Sequence, residues 1–427
     1  MRILHLAWEY PPVMYGGLGR HVHALATAQA EAGHDVIVIT QAPAGADGIA
    51  SADDGPVRVI RACADPRDHD PSDLFGHVAH MEWAFVDAGE ELLGAWQPEV
   101  IHAHDWMVTN AAVSLREPSG APLAATIHAT EAGRNRGWIT TELSTRIHAL
   151  EWWLANTADV LIACSAAMRD EIRSLFGRED AEVIPNGISP DGWQRPNGSV
   201  AKMRQRYAAD GPLITYTGRI EWEKGVHVLL EAMTDVRRDR PDARLVVAGR
   251  GSYLPELESR AHRLGLDDAA SFLGWVSEAD LRALVAAADV AIAPSLYEPF
   301  GLVALEAAAL GTPVIVSDTG GLSEFAAGGA LAATFPPGDA PGLADAILSD
   351  LSDPEAARLR AARAAAALRP RFDWGRISAR TVEAYRRASA GITAPPFDAR
   401  LDRAAARRAV ALPAFVAPLG RLLDIGP

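Results

Sequence analysis

Short apolar runs alternate along the chain with longer segments whose apolar residues recur at helical spacing, the pattern of parallel strands joined by helices. This predicts an α/β protein. In the first half, strands are expected at Ile3 to Leu6, Val36 to Thr40, Val57 to Ile60, Val100 to Ala103, Leu123 to Ile127, Val160 to Cys164 and Glu182 to Ile184. Helices fit between them at Leu18 to Ala32, Val78 to Ala95, Leu143 to Thr157 and Ala166 to Phe176. A turn-rich stretch then runs from Pro185-Asn186-Gly187 through Pro190-Asp191-Gly192 to Pro196-Asn197-Gly198, and reads as an interdomain hinge over 191–211. Beyond it the pattern begins afresh, with strands at Leu213 to Thr217, Arg244 to Ala248, Ser271 to Leu273, Val290 to Ala293, Val314 to Ser317 and Ala330 to Thr334. The expectation is two doubly wound, Rossmann-like domains, 1–190 and 212–375, whose strands point their carboxyl ends at a shared central cleft. A further helix over 376–391 crosses back to the first domain, and 392–427, rich in Pro, Ala and Arg, reads as a loosely held tail.

Length agrees with that division, because 427 residues suffice for two domains that each bury a core. The formal charge of -15 argues against a nucleic-acid partner, which calls for a basic face. Cys63 and Cys164 stand alone, without metal-ligand spacing, and suit a reducing compartment. No apolar run approaches the roughly 20 residues of a membrane helix, and Met1-Arg2 leads straight into a strand without a signal-peptide core. A cytoplasmic enzyme is expected.

Chemistry concentrates in Glu298-Pro299-Phe300-Gly301-Leu302-Val303-Ala304-Leu305-Glu306. A helix starting near Gly301 would aim free N–H groups and its positive end into the preceding loop, where a diphosphate could be held. Eight helical residues would separate Glu298 from Glu306 by about 12 Å, more than the roughly 5 to 9.5 Å of paired glycosidase carboxylates. The two acids then serve different parts of one long ligand; the plain alternative is a turn glutamate and a salt-bridged helical one. Gly218-Arg219 and Lys224-Gly225 put two cations at a strand's carboxyl end, suited to two phosphates or simply solvated beside Glu221 and Glu223. Gly16-Gly17-Leu18-Gly19 opens a helix after the first strand and admits close phosphate approach, or is a tight structural loop. It is no dinucleotide fingerprint, since Val22 replaces the third glycine and Thr40, not an acid, ends the second strand. His128, just past a strand, suits a sugar hydroxyl or is simply a structural histidine. His102, His104 and Asp105 end another strand, and without a third spaced ligand they suggest acceptor binding or a polar strand end rather than a metal site. Asp68-His69-Asp70 lies in a Pro- and Asp-rich loop and reads as a surface turn.

Taken together and in this order, Gly16-Gly17, His128, Gly218-Arg219, Lys224-Gly225 and the Glu298/Glu306 segment resemble the retaining glycosyltransferases of the two-domain GT-B type, specifically the family 4 group that includes glycogen-synthase-like enzymes. The likeness runs to about residue 390. Trp8-Glu9-Tyr10-Pro11-Pro12, His102-Ala103-His104-Asp105-Trp106 and the segment from Thr126 to Arg134 are further similar to actinobacterial α-1,4-glucosyltransferases. The resemblance implies metal-free, cofactor-free transfer of α-glucose from ADP- or UDP-glucose to an α-1,4-glucan. It assigns the donor diphosphate to Arg219, Lys224 and the backbone of Gly16, Gly17, Gly301, Leu302 and Val303, and the ribose to Glu306. Glu298 and His128 would face the transferred hexose, Arg250, Gly251, Trp275 and Val276 would edge the base, and His104, Asp105 and Glu131 would meet the acceptor. Tyr15 departs from the lysine usual in glycogen synthases. Two rival readings remain: a family 4 transferase with a small or lipid-linked acceptor such as inositol phosphate, and a catalytically dead nucleotide-sugar-binding protein.

Overall fold

The computed structural model describes residues 1–46, 48–63, 73–196, 198–208 and 210–390. Asp68-His69-Asp70 and the tail 392–427 lie outside them. Eight strands form one sheet: β1 Arg2–Ala7, β2 Asp35–Gln41, β3 Ala50–Asp54, β4 Val57–Ala62, β5 Val100–His104, β6 Leu123–Ile127, β7 Val160–Ala163 and β8 Glu182–Val183, in the order β3-β4-β2-β1-β5-β6-β7-β8. Six form the other: β9 Leu213–Thr217, β10 Arg244–Ala248, β11 Ala270–Gly274, β12 Val290–Ala293, β13 Val314–Ser317 and β14 Ala333–Phe335, in the order β11-β10-β9-β12-β13-β14. Both orders reverse at their first strand, so the switch points lie between β1 and β5 and between β9 and β12, where open α/β sheets place their ligands.

Strand sequence explains the layering. In β10, Leu245 and Val247 point into one core with Leu229, Met233, Ile292, Leu343 and Ile347, while Val246 and Ala248 point into another with Leu213, Leu284 and Ala287. Period-two alternation with both faces apolar is what a parallel strand covered by helices on each side requires.

Three expectations need correction. β3 was not foreseen: it pairs antiparallel with β4, and its sequence ASADD is exposed along most of its length, so no buried face leaves a pattern to read. β14 begins at Ala333 rather than Ala330, because a turn with Leu331 N–H donating to the Ala326 carbonyl occupies the preceding residues. The expected hinge over 191–211 contains the helix Ser199–Tyr207, and Arg204 ties it to the Ala287 carbonyl at 3.0 Å and to Asp289 at 2.9 Å.

The chain forms two compact units that no single cut in the sequence separates. The first comprises Met1–Ile127, Thr140–Ile162 and the chain from Ser378; the second comprises His128–Ile139 and Ala163–Ile377. Residues 191–211 thus lie inside the second unit, and the last described helix, Trp374–Ala390, passes from the second into the first. No helix among the described residues is long and apolar enough to cross a membrane.

Candidate active site

At the β9/β12 switch point, the loops after those two strands are neighbours by topology, and the backbone binds them together. The Glu223 carbonyl accepts the N–H of Leu296 at 2.7 Å and of Tyr297 at 3.3 Å. Gly225, at φ 68°, lets the loops touch, since a Cβ there would stand 1.9 Å from the Pro294 carbonyl oxygen. The approach brings Lys224 Nζ to 2.9 Å from Glu298 Oε2, each side chain 14% exposed, and Ser295 Oγ donates to the same oxygen at 3.2 Å. Arg219 lies on the same loop, more open, 3.5 Å from Glu223. Glu298 is pinned from behind as well: its carbonyl accepts Gly321 N–H at 3.0 Å, and a Cβ on Gly320 would meet that carbonyl at 2.1 Å.

The helix after Glu298 starts at Leu302 and ends at Ala309, with Gly301 in the left-handed region at φ 97° as an N-cap that offers no side chain. Its first N–H groups are therefore left without a side-chain cap, as an anion site needs. Only the second half of the Glu298–Glu306 spacing is helical, so the 12 Å estimate is replaced by a turn plus about 6 Å of helix. Glu306 sits inside that helix and is buried.

Next to these, the loops after β10 and β11 close ranks with the Arg219 loop. Ile220 N–H donates to the Arg250 carbonyl at 2.8 Å, Ser252 N–H to Glu221 at 3.1 Å, and Gly249 N–H to the Gly274 carbonyl at 2.8 Å. Gly251 is needed there, a Cβ falling 2.0 Å from the Ile220 carbonyl oxygen. Arg250 is exposed, Val276 half-buried and Trp275 66% exposed, an uncovered aromatic face on this edge.

His128 and Glu131 were expected in the first domain. The unit boundary instead falls between Ile127 and His128, so both belong to the second unit with Glu298. His128 is half-buried, and Glu131 opens a one-turn helix, Glu131–Arg134, accepting Asn135 Nδ2 at 2.9 Å.

Gly16, Gly17, His104 and Asp105 lie in the first unit, at the β1/β5 switch point. Gly17 opens the helix Gly17–Glu31, but the buried Glu9 carboxylate accepts the N–H groups of Tyr15 at 2.9 Å and Gly16 at 2.8 Å, so the Gly16 amide already has an anion. Asp105 holds φ 62°, a costly angle for a residue with a side chain. His104 is drawn into a core network. The parallel register sets His5 beside His102, supplying the third histidine that sequence spacing did not reveal. His104 Nε2 lies 3.0 Å from His5 Nδ1, His5 Nε2 2.7 Å from Gln29 Oε1, Gln29 Nε2 3.3 Å from Tyr385 Oη, Tyr385 Oη 2.6 Å from His102 Nδ1, and His102 Nε2 2.7 Å from Thr126 Oγ1. Because Gln29 Oε1 accepts only, the chain runs one way with every imidazole neutral: His104 to His5 to Gln29 to Tyr385 to His102 to Thr126. Burial pushes the His5 imidazole down to about 4, against the opposing pull of its Gln29 bond. Both nitrogens of His5 and of His102, and Nε2 of His104, are thereby held in hydrogen bonds.

Comparison with known proteins agrees with this layout. Residues 15–191 match the family model for Glycosyltransferase Family 4, and residues 200–367 that for Glycosyl transferases group 1. A glycogen synthase of Mycobacterium tuberculosis is 44% identical over 408 residues, 92% of this chain and 97% of that protein. The chain is a family 4 glycosyltransferase. A D-inositol 3-phosphate glycosyltransferase of Paenarthrobacter aurescens is 31% identical, over 89% of this chain and 95% of that one. Among solved structures, sucrose-phosphate synthase from Thermosynechococcus elongatus superposes with a TM-score of 0.79 at 25% identity, covering 91% of this chain and 100% of that one. The fold of this glycosyltransferase is GT-B, two Rossmann-like domains, as the sequence pattern predicts.

Sequence reasoning singled out Arg219, Lys224 and Glu298, which the structure brings together on neighbouring loops, and missed what holds them there. Tyr297, Glu171, Thr130, Trp222 and Gly320 were not singled out. The glycine pair Gly320-Gly321, separated by two residues from the end of β13, and a tyrosine adjoining Glu298 were the available signals.

Proposed function

We propose that this glycosyltransferase moves α-glucose, with retention, from a nucleoside-diphosphate glucose to an α-1,4-glucan. The observation that carries the reading is the Lys224–Glu298 pair beside the side-chain-free N-terminus at Gly301, all at the β9/β12 switch point. A diphosphate seated over Leu302 and Val303 N–H groups meets Lys224 and Arg219 as its leaving charge develops, which supplies the stabilisation that a metal gives in other transferases. No metal or cofactor is then required. Glu298, fixed by Lys224, Ser295 and its own backbone, lies on the sugar side, and Glu306 takes the ribose hydroxyls. His128 belongs to the same unit and faces the hexose. The acceptor hydroxyl attacks from the face the diphosphate leaves and gives its proton to the departing diphosphate oxygen, so no protein nucleophile is needed. The name of the 44% identical relative supports glucan as acceptor, and two isolated cysteines suit a reducing cytoplasm.

The test is nucleoside diphosphate release from ADP-glucose, UDP-glucose and GDP-mannose, each with a maltooligosaccharide, with inositol 3-phosphate or with no acceptor, in EDTA. Release that needs a glucose donor and the glucan, undiminished by EDTA, is expected. Release only with inositol 3-phosphate would replace the acceptor, dependence on a divalent ion would remove the electrostatic role given to Arg219 and Lys224, and no turnover with any pair would favour a binding protein.

A further inference from the structure

The segment His128–Ile139 continues directly from β6 yet belongs to the second unit, and it is fastened there at two points. At one, Thr130 N–H donates to Tyr297 Oη at 3.1 Å, Tyr297 Oη–H donates to Glu171 Oε1 at 3.0 Å, and Thr130 Oγ1–H donates to the same carboxylate oxygen. The Tyr297 ring lies flush on Gly133, where a Cβ would come within 2.3 Å of Tyr297 Cζ. At the other, the Arg136 guanidinium stands 4.1 Å over the ring of Trp222, a cation–π contact. Between these anchors the segment is stiff: Thr130 caps the turn Glu131–Arg134 by accepting Gly133 N–H at 2.9 Å, and Gly137 N–H closes onto the Ala132 carbonyl at 2.7 Å. Burial raises the Glu171 carboxyl, opposed by its bonds from Thr130 and Tyr297.

The anchors are not scattered. Tyr297 immediately precedes Glu298, and Trp222 stands two residues before Lys224, so the segment carrying His128 is clamped to both loops of the Lys224–Glu298 pair. We infer that Tyr297, acting with Thr130 and Glu171, is a positioning residue that fixes the His128–Ile139 segment to the Glu298 loop and thereby sets His128 relative to the reacting sugar. The inference rests on the reading that the site transfers glucose. Displacing a group by even 1 Å in such a site lowers turnover by up to about a hundredfold without needing to alter ligand affinity.

Tyr297→Phe keeps the ring on Gly133 and removes only the hydroxyl. The expected result is a fall in kcat of about ten- to a hundredfold, donor KM within about twofold of wild type, and faster hydrogen exchange at the amides of residues 130–137 alone. Glu171→Gln, which still accepts both hydroxyls, should retain most of the turnover that Glu171→Ala loses. Unchanged kcat, or a rise in donor KM at constant kcat, overturns the inference, and so does exchange at 130–137 that matches wild type. Hydrogen exchange needs no substrate, so it judges the clamp even if the wild-type enzyme transfers to no glucan, which would sink the functional reading by itself.

Discussion

The two switch points of this enzyme are built from the same topology and used in opposite ways. At β1/β5 the strands end in side chains that satisfy one another: His5, His102 and His104 pass hydrogen bonds through Gln29 and Tyr385, and Glu9 occupies the amides of Tyr15 and Gly16. At β9/β12 the corresponding place has a helix N-terminus without a side-chain cap, an arginine 39% exposed and an ion pair whose two side chains are each 14% exposed. A neutral, internally saturated network is worth most to rigidity, because each unmade bond in it costs the desolvation of a buried group. A partly satisfied charged one is worth most to a ligand that completes it. Doubly wound sheets offer a ligand site at each reversal; which one does chemistry is decided by what the chain leaves unfinished there.

If the contrast is right, damage at β9/β12 should be catalytic and damage at β1/β5 structural. The largest effect is expected from Glu298→Ala. It strands Lys224 at 14% exposure without its 2.9 Å partner and removes the carboxylate to which the proposed function gives the sugar, so kcat should fall by about 10³, measured as diphosphate release at saturating donor. A variant within tenfold of wild type would mean that the pair serves loop closure alone. Arg219→Ala comes next. Arg219 is the more open cation, its loss leaves the Lys224–Glu298 pair intact, and kcat should drop by about 10² with little change in stability. Restoration of the rate by added divalent metal would show that charge is what was lost.

The sequence made the charged half of this contrast readable and hid the neutral half. Arg219, Lys224, Glu298 and their glycines stand at strand ends, where local pattern and residue type carry the information. The network at β1/β5 needs His5 to lie beside His102, residues 97 apart that only the parallel register brings together. Tyr385, 283 positions from His102, comes from the helix expected to cross back to the first domain, but no local pattern encodes which of its side chains meets His102. The same limit explains Tyr297 and Thr130, 167 residues apart, and the misread hinge: Pro and Gly flank the helix Ser199–Tyr207, which buries no residue fully and packs through only the short stripe of Val200, Met203 and Tyr207.

Glu306→Ala sharpens the comparison within the catalytic half. Its carboxylate is buried in the helix that begins at Leu302, and the proposed function gives it the ribose rather than the reacting sugar. Donor KM should rise about tenfold with kcat nearly constant, as expected when hydrogen bonds common to ground and transition states are lost. Equal losses in kcat and kcat/KM would move Glu306 to the reacting centre.

The smallest effect, and the one that probes the other side, is expected from Tyr385→Phe. The hydroxyl both accepts from Gln29 and donates to His102, so its removal leaves a buried donor and a buried acceptor without partners. A loss of about 2 kcal/mol, or roughly 4–8 °C in Tm for a unit of this size, should appear with kcat and KM unchanged. The pH dependence follows from the same neutrality. His5 has its pKa lowered to about 4 in the folded state, below the ordinary 6.5, so between those values the unfolded chain binds the extra proton and stability falls as pH drops from about 6.5 toward 4. Replacing His5 by Gln should flatten that part of the Tm–pH curve while the rate at β9/β12 keeps its own pH profile. If instead Tyr385→Phe leaves Tm untouched and cuts turnover, the buried chain belongs to the reaction and the division of labour between the two switch points fails.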